Sequence, residues 1–278
     1  MSTTITKLTD VLRQPIPIQA TARQLKQGYR TYPVLTGTER NAEPLVDIAL
    51  YGIAGQSYYS RPNRTTGDAV PGIDPVIRVR KSIAERLAAI NHALQNSEAV
   101  RELFGGPVEL YVEEGTRSLA LQEQLYNQVF PAFIASSHPK LTPEQVLAER
   151  DKLIARPATV SSVPPHATGG AIDIALRHAH PDLCYVPKSL IPMGRKTGIS
   201  TVAQPDYYEQ KQTPTHPEER LRRNRRIFYW VMRGALQQDD TGFVCNPDEW
   251  WHWSYGDQMW AALTQAPAAF FSEMEQKA

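Results

Sequence analysis

The segment Ala171 to Leu176 (AIDIAL) limits the fold more than any other feature of the sequence. Five of its six residues are apolar, and it reads as a strand. At its centre stands Asp173, which strand alternation points away from its neighbours Ile172 and Ile174. A carboxylate in such a strand needs a partner, because burying an unpaired charge is costly. A metal ion is one such partner. One candidate ligand lies just upstream, in His166-Ala167-Thr168-Gly169-Gly170, where the glycines let the backbone turn tightly into the strand. Imidazole nitrogen and carboxylate oxygen are both good zinc donors. The same two residues also fit a simple hydrogen-bonded His–Asp pair.

A second cluster is Glu249-Trp250-Trp251-His252-Trp253. Here His252 offers a further ligand, and Glu249 offers a spare carboxylate three residues earlier. Three protein ligands with an open fourth position are the inventory of a catalytic zinc site. A nearby carboxylate can then act as base toward a metal-activated water. The alternative is an aromatic core strand with His252 bonded to a backbone carbonyl. A third element, Glu113-Glu114-Gly115-Thr116-Arg117, joins an expected strand to an expected helix. Arg117 can stabilise an oxyanion there, or it can be a surface arginine paired with an acid.

The chain has 278 residues, 41% hydrophobic and 21% charged, enough for a substantial core. The reading is one domain, residues 45–278, with an N-terminal extension over 1–44. A net charge of +1 gives no global attraction to nucleic acid or to an anionic membrane. The basic run Arg220 to Arg226 falls on an expected amphipathic helix and reads as its solvated face. No run approaches the ~20 apolar residues of a membrane span, and the first residues contain no apolar stretch, so the expected location is cytoplasmic. Cys184 and Cys245 stand too far apart for zinc-ligand spacing and read as buried thiols.

Helices are expected from Asp74-Pro75 onward, with Ile83, Leu87, Ile90 and Leu94 as one apolar face. Others should start at Thr142-Pro143-Glu144-Gln145, which has the form of a capping box, and end before Pro157. Another runs from His216 to about Gln238, and a last one is capped by Asp257. Strands are expected at Val108 to Val112, Ala171 to Leu176 and Trp250 to Tyr255. Long irregular stretches at Gly52 to Gly72 and Pro187 to Thr215 are places for a substrate lid. Without regular strand–helix alternation the class is α+β.

The stretch Pro164 to Asp173 (PPHATGGAID) resembles the metal segment of the D-alanyl-D-alanine dipeptidases, a zinc peptidase group that includes bacterial D,D-carboxypeptidases. EWWHWSYGD, Glu249 to Asp257, resembles the second metal segment of that family, and NRRIFYWVM, Asn224 to Met232, resembles its penultimate helix. The resemblance runs from about Leu45 to about Ala262. It implies a small, mostly antiparallel sheet carrying the metal, packed by several helices. It implies one zinc ion per chain on His166, Asp173 and His252, Glu249 as catalytic base, and Arg117 on the scissile carbonyl. The substrate class would be a small peptide, D-Ala-D-Ala or a related dipeptide, with neither nucleic acid nor membrane as partner.

The chain departs from the family in three places. Arg117 stands in Glu-Gly-Thr-Arg-Ser, without the usual tyrosine and proline. Pro164 stands where a serine is common. Met193-Gly194 is followed by Arg195-Lys196-Thr197-Gly198, where the family has an acid that holds the substrate amine, and no acid follows until Asp206. Arg195 and Lys196 suit a substrate carboxylate instead. These departures keep open a D,D- or L,D-carboxypeptidase acting on cell-wall peptides. A non-catalytic metal-containing binding protein is the other alternative, and it would have no use for Glu249.

Overall fold

A computed structural model describes residues 3–60, 62, 69–70, 73–159, 162–179, 190–194, 201–237 and 239–273. The fold is α+β. In chain order its helices are α1 (Thr3–Arg13), α2 (Ala20–Gln27), α3 (Lys81–Asn96), α4 (Glu98–Phe104), α5 (Leu119–Gln124), α6 (Phe130–Ser137), α7 (Pro143–Leu153), α8 (His216–Met232) and α9 (Gln258–Thr264). The strands are β1 (Leu45–Asp47), β2 (Ala54–Gly55), β3 (Arg78–Arg80), β4 (Val108–Glu114), β5 (Ala171–His178), β6 (Val244–Asn246) and β7 (Glu249–Ser254).

The main sheet has the order β2-β4-β5-β7-β6. Only β2 is parallel to its neighbour, and the other pairs are antiparallel. The apolar strand with the central acid, β5, is the middle strand, a position that covers both its faces and both its edges. Its register sets Asp173 opposite His252 on one side and opposite Glu114 on the other. Directly opposed residues in an antiparallel pair have Cβ atoms roughly 4.5–5.5 Å apart, within side-chain reach.

The core forms where helices cover this sheet. Ile83, Leu87, Ile90 and Leu94 of α3 are all buried, with Val108, Leu110 and Val112 of β4 in the same cluster. From α8, Ile227, Phe228, Val231 and Met232 are buried, and the Phe228 ring meets Trp250 and Trp253 edge-on at 6.1 and 5.8 Å. Leu12 of α1 is fully buried in the same core, so the segment before residue 45 is packed onto the rest.

Several expectations need correction. Asp74-Pro75 starts no helix. Asp74 instead accepts a hydrogen bond from the Val76 amide at 2.9 Å and pairs with Arg78. Residues 78–80 form β3 against β1, and α3 begins only at Lys81. Alternation through Ile77-Arg78-Val79-Arg80 outweighs the cap signal, since strand pairing satisfies the backbone first. The helix from His216 stops at Met232, short of Gln238, because Gly234 takes a left-handed conformation (φ +88) that breaks helical geometry.

The basic run is not a uniformly solvated face. Arg225 is buried and donates to the carbonyls of Met193, Gln204 and Val202 at 2.7, 2.6 and 2.7 Å. Burial lowers its pKa to about 10, which leaves it charged at neutral pH. It thereby pins the described parts of the 187–215 stretch. Cys245 is buried, as expected, while Cys184 and Arg195 to Gly198 lie outside the described residues.

The turn into β5 is fixed from outside. Arg80, fully buried, donates from Nε to Thr168 O at 2.8 Å, from Nη1 to Asn41 O and Glu43 O, and from Nη2 to Ser272 O. Its own amide bonds Gly169 O at 3.0 Å. Gly169 has φ +73, a left-handed conformation, and a Cβ on Gly170 would lie 2.4 Å from the backbone oxygen of Tyr255. Both glycines are thus required, one for torsion and one for closeness. Gly170→Ala is expected to destabilise the protein by about 1–3 kcal/mol through backbone displacement. Urea unfolding measures this, and an unchanged midpoint would contradict the packing described.

Candidate metal centre

The turn at residues 165–168 and the cross-strand pair on β5 and β7 bring His166, Asp173 and His252 to one point. One potential ligand atom from each lies within 4.8 Å of the others. His166 Nε2 and His252 Nδ1 are 3.2 Å apart, and each lies close to Asp173 Oδ1, at 3.4 and 3.2 Å respectively. That Oδ1 is fully buried and makes no hydrogen bond of acceptable geometry. Two imidazole nitrogens thus converge on a buried oxygen that lacks a proper donor. For zinc bonds of about 2.0–2.2 Å in tetrahedral geometry, neighbouring ligand atoms lie roughly 3.3–3.6 Å apart. The observed spacings are at or just below that range, so the residues fit a small tetrahedral cation.

The far sides of the two rings are held as metal-ligating histidines usually are. His166 Nδ1 lies 2.9 Å from Gly115 O, which leaves Nε2 free to point inward. His252 Nε2 lies 3.4 Å from Ser254 Oγ. The electrostatics favour a cation. Burial by itself would raise the Asp173 pKa, but the two imidazoles hold it well below the ordinary carboxylate range. Burial opposes charge on His166, yet Asp173 and Glu114 raise its pKa overall.

Glu249 opens β7. Residues three apart in a regular strand face opposite sides, but the pairing of β6 with β7 shifts between Cys245 and Asn246, and that irregularity breaks the alternation. Glu249 lies in the field of His252, Asp173 and His166. Its Oε2 accepts from Asn246 Nδ2 at 2.8 Å. Burial raises its pKa while His252 and Lys26 pull it back.

Arg117 is not a surface arginine. It is buried, and its Nε and Nη2 grip both oxygens of Glu114 at 2.8 and 2.6 Å while Nη1 donates to Gln122 at 2.7 Å. Its backbone amide bonds His166 O at 3.0 Å. Burial opposes its charge, but Glu114 and Tyr59 outweigh this and raise its pKa. The Tyr59 ring lies 5.5 Å from the guanidinium. Sequence reading missed the Glu114–Arg117 fork, although Glu-x-x-Arg at the end of an apolar strand was the available signal. It also missed Gly115 O, Ser254 and Asn246, whose roles depend on register. Removing one partner of a buried ion pair costs roughly 3–5 kcal/mol, so Arg117→Ala should lower stability by that order. A double variant Glu114→Gln/Arg117→Ala, by urea unfolding, should recover part of the loss. Equal stability of wild type and single variant would show that the fork is not formed.

A cavity of about 240 Å³ opens beside this fork, between Arg117, Ser57, Ile77 and Leu119. Asp206, the first acid after Met193-Gly194, is fully buried and held by both Nη groups of Arg23 at 3.0 and 3.1 Å. That burial puts it out of reach of a substrate amine.

A family model described as D-ala-D-ala dipeptidase matches residues 134–272, half of the chain, including His166, Asp173, Glu249 and His252. The chain belongs to the D-Ala-D-Ala dipeptidase family. This family member is a peptidase, and it is 27% identical over 230 residues to a D-alanyl-D-alanine dipeptidase of Synechocystis sp., across 79% of this chain and 84% of the relative. Two solved structures overlap it loosely, each with a TM-score of 0.35. They are VanYB in complex with D-alanine-D-alanine, at 15% identity over 71% of this chain and 83% of that one, and a zinc-bound vancomycin-resistance D,D-pentapeptidase VanY, at 14% over 77% and 92%. Among the described residues no helix is long and apolar enough to cross a membrane.

Proposed function

We propose that the chain hydrolyses D-Ala-D-Ala or a closely related dipeptide, with one zinc held by His166, Asp173 and His252 and with Glu249 as base. The observation that carries this reading is the convergence of the two imidazole nitrogens and the unsatisfied Asp173 oxygen on one point. The printed activity of the Synechocystis relative supports the substrate class. A zinc ion in such a place supplies Lewis acidity, polarising a carbonyl and making a water molecule acidic near neutral pH. The protein's own residues do the rest. Glu249 takes the proton from the attacking water and passes it to the leaving amine. The buried tryptophans Trp250, Trp251 and Trp253 anchor β7 in the core, Trp250 and Trp253 edge-on against Phe228, and so hold His252 in place. Arg117, paired with Glu114 and within the field of Asp173, is assigned to stabilise the negative charge that develops as the amide is attacked.

A D,D-carboxypeptidase activity is the second reading. One observation favours it: Asp206, the nearest acid after Met193-Gly194, is buried and paired with Arg23, so the amine anchor of a strict dipeptidase is missing there. Release of D-alanine from D-Ala-D-Ala and from a longer peptide ending in D-Ala-D-Ala, and of L-alanine from L-Ala-L-Ala, each with and without chelator, distinguishes the readings. The dipeptidase reading expects chelator-sensitive cleavage of D-Ala-D-Ala above both others. Preference for the longer peptide selects the carboxypeptidase. No cleavage of any of them by the zinc-loaded protein would overturn both.

A further inference from the structure

We propose that α2 is a positioning element for the base: Arg23 and Lys26, three residues apart on one face of that helix, hold the Asn246–Glu249 turn and through it the carboxylate of Glu249. The proposal rests on the reading of Glu249 as base. Lys26 Nζ lies 2.8 Å from Asp248 Oδ2, and Arg23 Nη1 donates to Pro247 O at 3.3 Å. Inside the turn, the Asp248 amide bonds Asn246 Oδ1 at 3.1 Å, and Asn246 Nδ2 bonds Glu249 Oε2 at 2.8 Å. The contacts therefore run without a break from α2 to the carboxylate. Arg23 is itself locked by Asp206, whose Oδ2 also accepts the Gln19 amide at the start of α2 at 2.8 Å.

The need for such a clamp follows from the topology. β6 is the edge strand of the sheet, and its turn into β7 has no neighbouring strand beyond it. Turns in that position are among the looser parts of a fold. Catalysis tolerates little looseness, since a misplacement of about 1 Å costs about 10²-fold in rate. The Lys26–Asp248 pair is partly exposed, at 22% and 39% of the side-chain area. Pairs so placed contribute little to global stability. A structural role and a positioning role consequently predict different results.

The test uses the zinc-loaded full chain carrying Lys26→Met or Lys26→Arg, each in wild-type and Glu249→Gln backgrounds. Lys26→Met should lower kcat about tenfold, with KM, zinc content and Tm unchanged. Lys26→Arg should restore most of the rate. In the Glu249→Gln background Lys26→Met should cause no further loss, because the group it positions is gone. Amide exchange at residues 246–249 should accelerate in Lys26→Met and remain slow in Lys26→Arg. A wild-type kcat in Lys26→Met, or an equal further loss in the Glu249→Gln background, would overturn the proposal while leaving Glu249 as base. Full activity of Glu249→Gln alone would overturn the base reading itself, and this proposal with it.

Discussion

Replacing Glu249 by glutamine is expected to lower kcat on D-Ala-D-Ala by about 10²–10⁴-fold while one zinc per chain remains bound, the range that a positioned general base supplies. Glutamine keeps the size of the side chain and can still accept the Asn246 Nδ2 hydrogen bond, so the turn should persist. What it cannot do is take a proton from water. Burial lifts the Glu249 pKa, so the ionised form gives way to the acid at higher pH than in an exposed glutamate. The wild-type rate should therefore fall on the acid side as this group protonates, and the variant should keep only the fall that accompanies loss of the metal. Steady-state kinetics with metal analysis checks both points. A variant with wild-type kcat would remove Glu249 from the chemistry, and one that lost its zinc would make it a ligand instead.

His252→Ala should weaken zinc binding by more than the ~10–100-fold typical of outer-shell changes, and activity should disappear with the metal. The loss is large because two lone-pair donors and a buried carboxylate meet at one point, and removing a ring leaves two ligands. Ser254→Ala, which touches only the outer nitrogen of that ring, should fall within the 10–100-fold range. Protons compete with the metal for the same atoms. Because Asp173 and Glu114 raise the His166 pKa, that competition begins at higher pH than for a free imidazole. Competition with a chromophoric chelator measures all three effects, and wild-type zinc affinity in His252→Ala would contradict the arrangement.

Much of the fold was legible because local and global signals agreed. The α3 face, the capping box at Thr142 and the three strands that build the sheet around Asp173 all appear near their expected places. The class, α+β with a mostly antiparallel sheet, follows from them. The failures have a common physical origin. At Asp74-Pro75 a helix-start signal competed with strand pairing between residues 78–80 and 45–47, and no local pattern reveals a partner more than thirty residues away. At Arg225 a basic run looked solvated, but backbone carbonyls of a distant loop absorb the guanidinium. The residue types of the candidate centre could be read from sequence, because an acid inside AIDIAL demands a partner. Their register could not, nor could the Glu114–Arg117 fork or the clamp from α2, since each depends on which strands and helices become neighbours.

The measurement closest to the central claim is zinc-edge X-ray absorption on the zinc-loaded protein, with metal stoichiometry from the same sample. One zinc per chain, with two imidazole nitrogens and a carboxylate oxygen at about 2.0–2.2 Å and a remaining light-atom ligand, is the predicted result. A shell without histidine, a sulfur ligand at about 2.3 Å, or protein that takes up no zinc would contradict it.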